Sequence, residues 1–158
     1  MSVLPERIAS IAEIQIGVRE TKHNGGGAIA EYQRATWLPV GPWAWCAAFV
    51  CWVVKQAMGA DTWTFKRPET AGAWDFENWC RGVDNSAKLK KPITNVRRGD
   101  IVVYTFSHIG IALGEPDEDG MVYVVEGNTN NAGSREGDGV YRKHRHLSKI
   151  RSVIRFTV

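Results

Sequence analysis

With 158 residues the chain fits one domain, able to bury roughly 70% of the surface its unfolded form exposes, so it needs no staples to fold. Apolar residues at 44% and charged residues at 23% exclude a disordered chain, and a net charge of +3 from 20 basic and 17 acidic residues is too small an excess to argue for nucleic acid. No run approaches the ~20 apolar residues of a membrane span, and residues 1–19 lack a basic region followed by an unbroken apolar stretch, so neither an anchor nor export by the usual leader is expected.

Residues 4–18 place Leu4, Ile8, Ile11 and Val18 near helical spacing, with Pro5 acceptable in a first turn, and predict a helix. Asn24-Gly25-Gly26-Gly27 stops any regular element before a helical pattern resumes over residues 28–37 and ends ahead of Pro39. After the Gly41-Pro42 turn, residues 43–58 put Cys46, Phe49, Val50, Val53 and Ala57 on one helical face, and Gly59 supplies the stop. This helix is expected to be central. A shorter helix is expected over residues 70–80, where Ala73, Phe76 and Cys80 share a face.

The character changes after Pro92. Residues 101–104, 108–113, 121–126, 140–142 and 153–158 are short β-rich runs, with Gly or Asp in several gaps, and predict an antiparallel sheet. Helices first and strands second give an α+β class, and no repeat or linker divides residues 1–158 into more than one domain.

Three cysteines cannot all pair, and they lack the paired spacing of a zinc site, so at least one thiol is free. Cys51 and Cys80 read as core. Cys46 stands at the start of the central helix, where unpaired N–H groups and the positive end of the dipole favour a thiolate; a small core residue is the plainer alternative. Of four histidines only His108 opens an apolar strand run, Ile109-Gly110-Ile111-Ala112-Leu113, while His23, His144 and His146 lie in polar, basic surroundings. A nucleophile and base also need a polar group that orients the imidazole. Glu126 and Asn128, ending the apolar run 122–125, are both candidates, and strand period two sets Val124, Glu126 and Asn128 on one face.

Four blocks in this order, Trp45-Cys46-Ala47-Ala48-Phe49-Val50, Arg98-Gly99-Asp100-Ile101-Val102-Val103, Ser107-His108-Ile109-Gly110-Ile111 and Val125-Glu126-Gly127-Asn128-Thr129-Asn130, resemble the CHAP family of cysteine, histidine-dependent amidohydrolases and peptidases. Gly17-Val18-Arg19-Glu20, the glycine loop and residues 29–37 resemble the helical lead-in of phage-type and secreted members. The resemblance implies a papain-like fold, with Cys46 as nucleophile, His108 as base, Glu126 as the group orienting His108 and Asn128 as a further polar member of the site. It also implies peptidoglycan as substrate, cut at the N-acetylmuramoyl-L-alanine amide or within the stem or cross-bridge peptide.

Trp43 and Trp45, with Trp37, flank the nucleophile and are candidates to line a substrate groove, against the plainer reading as core. The loop 21–27 holds no carboxylate, so no calcium, other metal or cofactor is expected. The tract Arg142-Lys143-His144-Arg145-His146, with Lys149, Arg151 and Arg155, reads as a solvated strand edge, attraction to anionic wall polymer being the other reading. A monomer is expected, made in the cytoplasm and reaching the wall by lysis or specialised export. An injected effector would bring a neutralising inhibitor protein as partner. Two other classes compete: a cytosolic amidase or deamidase using the same dyad, and a non-catalytic wall-binding module.

Overall fold

A computed structural model describes residues 2–129 and 137–158. Helix α1 (Leu4–Gln15) buries Leu4, Ile8, Ala9 and Ala12 along one stripe. It ends three residues short of expectation because Gly17 turns at φ 104° and the chain then pairs with a distant strand: Gly17 N–H donates to the Val140 carbonyl and Val140 N–H to that of Val18. Helix α2 (Gly27–Gln33) also stops early. The Gln33 amide is buried and donates to the carbonyls of Gly41 and Trp43 at 2.8 and 3.2 Å, tying the end of α2 to the segment that leads into the next helix.

Helix α3 (Cys46–Met58) is buried on nearly every side, as suits a run with almost no charge, and ends at Gly59 with φ 58°. It starts at Cys46 rather than Trp43, since Trp45 has non-helical backbone angles. Helix α4 (Asp75–Gly82) begins later than expected; residues 70–74 form a turn in which Thr70 accepts from the Cys51 thiol.

Among the described residues six antiparallel strands follow: β1 (Ala87–Lys90), β2 (Ile101–Tyr104), β3 (Ile109–Ala112), β4 (Met121–Thr129), β5 (Gly139–His146) and β6 (Ile150–Phe156), in the order β1-β6-β2-β3-β4-β5. Strand β1 was not expected, and β5 extends through the basic tract to His146. Both faces of the sheet are apolar. Ile101, Val103, Ile109, Ile111, Val125 and Ile154 pack with the helices, and Val102, Tyr104, Ala112, Val122, Val124 and Val153 build a second cluster behind them. That double burial is why β2 reads as an unbroken apolar run rather than an alternating one. All three cysteines are free and buried, and among the described residues no helix is long and apolar enough to cross a membrane.

Candidate active site

Cys46 is the first residue of α3 and keeps 7% of its surface exposed, whereas His108, Glu126 and Asn128 have none. His108 enters β3, and its Nε2–H donates to Glu126 Oε1 at 2.8 Å. Its Nδ1 has no hydrogen-bond partner, although it is buried. Cys46 acts electrostatically on the ring, and with Nε2 committed to Glu126, Nδ1 is the nitrogen left to the sulfur.

Glu126 receives more than His108. The Tyr104 hydroxyl donates to Oε2 at 2.7 Å, and Arg145 donates through Nε to Oε2 at 2.7 Å and through Nη2 to Oε1 at 2.6 Å. Gly110 makes room for this: a Cβ there would stand 2.9 Å from Glu126 Cγ and 3.1 Å from the Tyr104 hydroxyl. The glycine two residues after the histidine therefore answers to the carboxylate packed over it.

Burial acts to lower the His108 pKa, but Cys46 and Glu126 outweigh it and push it up to about 9. Burial likewise acts to raise Glu126, but Arg145 and His108 hold it down at about 2. His108 then contributes stability that is complete below its unfolded value of 6.5 and is lost as pH rises through about 9. The Glu126 contribution is complete above 4.5 and is lost as pH falls through about 2. Thermal denaturation across pH is expected to show a plateau between those unfolded values and a decline toward pH 9 that His108→Gln removes.

Asn128 reaches α3: its Oδ1 accepts from the backbone N–H of Trp45 at 3.0 Å. The expectation of one shared face for Glu126 and Asn128 is corrected here. The β4–β5 register shifts between Glu126 and Thr129, and Asn128 adopts φ 56°, which turns its side chain toward α3. Between them Gly127 packs so tightly on α3 that a Cβ would lie 2.7 Å from Phe49 Cβ and 2.8 Å from Trp45 Cζ3. Asn130, the last residue of the fourth sequence block, lies outside the described residues.

Trp45 is also a correction. It has no exposed surface, and its indole N–H donates to Glu20 at 2.7 Å, so it offers a ligand nothing to touch. The other Glu20 oxygen accepts from Asn24 N–H, which ties the glycine loop to Trp45, the residue ahead of Cys46. Trp43 is partly exposed, its indole pinned to the Pro39 carbonyl at 2.8 Å. A cavity of about 650 Å³ lies between the glycine loop and residues 40–42.

Reading residues 142–155 as a solvated basic edge missed three arginines. Arg145, Arg151 and Arg155 each reach a buried carboxylate: Glu126, Glu77 and Asp100. The signal lay on the acidic side, since a carboxylate in an apolar strand must find a cation. Cys51 and Cys80 are core, as expected, and burial pushes the Cys80 thiol up to about 11 and Cys51 higher still.

A cysteine opening a central helix, set against a histidine and carboxylate carried by the following antiparallel sheet, is the arrangement of papain-like cysteine hydrolases. The chain belongs to the CHAP domain family, whose model matches residues 39–128, more than half of its length. The family is one of cysteine-dependent hydrolases of the cell wall, acting generally on peptidoglycan. The matched span holds Cys46, His108, Glu126 and Asn128, while the lead-in likeness over residues 17–37 and Arg145 fall outside it. Comparison with curated proteins and with solved structures gives no match.

Proposed function

We propose that this protein is a peptidoglycan hydrolase that cleaves an amide or peptide bond of the wall by thiol acyl transfer, with Cys46 as nucleophile, His108 as base and Glu126 as the residue that orients it. The observation that carries this reading is the state of the His108 ring: one nitrogen is fixed on Glu126 and the other, unpartnered and buried, is left to the Cys46 sulfur.

In this mechanism His108 Nδ1 takes the Cys46 proton and the thiolate attacks the carbonyl carbon. The backbone N–H of Cys46, at the first turn of α3, is a donor for the oxyanion. The imidazolium returns its proton to the leaving amine, which departs and leaves a thioester. Water, deprotonated by His108, then attacks the thioester; the product acid leaves and the thiol is restored. Asn128 serves by holding Trp45, and with it the start of α3, in register with β4. Of the two tryptophans beside Cys46 in sequence, Trp43 keeps exposed surface for a substrate and Trp45 has none.

The test is muropeptide mass spectrometry after purified peptidoglycan is incubated with the wild type or with Cys46→Ala. New fragments from the wild type alone are expected, their masses naming the N-acetylmuramoyl-L-alanine amide or a stem or cross-bridge bond. Intact Gram-negative and Gram-positive walls in both reactions would turn the reading to a cytosolic amidase.

A further inference from the structure

Strand β5 lies outside the span that the family model matches, yet it sets a cation on Glu126. We propose that Arg145 is a positioning residue for the dyad, fixing the plane of the Glu126 carboxylate and sharing its charge with His108. This deepens the hydrolase reading and rests on the Cys46–His108–Glu126 part of it.

The carboxylate has about four lone-pair sites, and all four are filled: His108 and Arg145 Nη2 on Oε1, Tyr104 and Arg145 Nε on Oε2. Two of the four come from one planar guanidinium, whose fork dictates the carboxylate's orientation as a single donor cannot. Arg145 is itself held, its side chain 15% exposed and its guanidinium carbon 5.2 Å from the Tyr104 ring centre and 5.4 Å from that of Phe106. Those rings lie nearly parallel to His108, at 5.6 and 5.8 Å. The Tyr104 and Phe106 rings thus pack on two of the carboxylate's three partners, Arg145 and His108.

The groups facing Glu126 come from every element packed on it: Tyr104 of β2, His108 at the start of β3 with Cys46 of α3 beyond it, and Arg145 of β5. Lys143 stands on the same face of β5, opposite Val124. Arg145 and His108 meet the same oxygen, so the guanidinium takes charge that would otherwise fall wholly on the imidazolium. Removing that cation favours the protonated form of each neighbour. The coupled site then keeps its protons to higher pH.

The test uses iodoacetamide, which needs no wall substrate, with the alkylation of Cys46 followed by mass spectrometry across pH. In Arg145→Gln the acid limb of the rate is expected to move up by about one pH unit or more. Arg145→Lys is expected to bring the limb back toward wild type while the plateau rate stays lowered, since the charge returns without the fork. A merely structural arginine changes thermal stability and leaves both limb and plateau as in wild type, and that result in the folded variants overturns the proposal. Should Arg145→Gln not fold, the plateau of Arg145→Lys decides: lowered supports the proposal, equal to wild type overturns it. Alkylation of Cys46 no faster than Cys51 or Cys80 in the wild type overturns the dyad and the proposal with it, whereas intact muropeptides beside a shifted limb count against the wall substrate alone.

Discussion

Replacing Glu126 with glutamine is expected to lower both turnover and stability more than any other isosteric change in the sheet. The amide cannot accept all four of the bonds that Tyr104, His108 and Arg145 now donate, and its own N–H groups would point at donors. Arg145 would remain part-buried with the Glu126 charge removed from its fork, a loss of the kind that costs about 3–5 kcal/mol when one partner of a buried pair is removed. The imidazolium would lose the anion that stabilises it in the attack step, for which a fall in kcat of roughly 10²–10⁴ is expected. Urea denaturation reads the first effect and initial rates of muropeptide release the second. A variant as stable and as active as wild type would remove Glu126 from the site.

Gly127→Ala is the second large effect, and its cause is purely steric. The added methyl would meet Phe49 Cβ at 2.7 Å and Trp45 Cζ3 at 2.8 Å, and Phe49 cannot swing away because its Cβ is fixed to the backbone of α3. Overpacking of this type costs typically 1–3 kcal/mol, and here the strain falls on the first turn of α3, which begins at Cys46, so a loss of about 3 kcal/mol is expected together with a marked fall in rate. Gly114→Ala is the control: a Cβ there meets nothing within 4 Å, and its unfolding midpoint in urea is expected to match the wild type. Equal midpoints for both variants would show that β4 can withdraw from α3 at no cost.

The parts of the fold legible in the sequence were those written in local patterns. Helix α3 showed itself by apolar spacing and a terminal glycine, and β2 by its continuous run. Cys46 stood out by opening the central helix, and His108 by opening an apolar strand run. What escaped was set at long range. The end of α1 depends on residues 17–20 pairing with residues 138–140, which no local window contains. Strand β1 has four residues, two of them lysines, too short and too charged to declare itself. In β5 the residues 142–146 are basic on both faces, so no contrast marked the inward side where Arg145 points at Glu126. Asn128 was misplaced because period two fails at a bulge, and Trp45 because a tryptophan beside a nucleophile reads equally well as groove or as core.

Only Gly127 separates Glu126, which holds His108, from Asn128, which holds the start of α3. Cys46 and His108 are thus clamped by neighbouring jaws on one short length of chain. If β4 slides along its own axis both jaws travel together, and the gap between sulfur and imidazole is conserved. A tilt of α3 moves one jaw's load without the other and opens that gap directly. Substitutions that shift the whole strand are therefore the tolerated kind, and those that rock the helix are the costly ones, even when they lie far from Cys46.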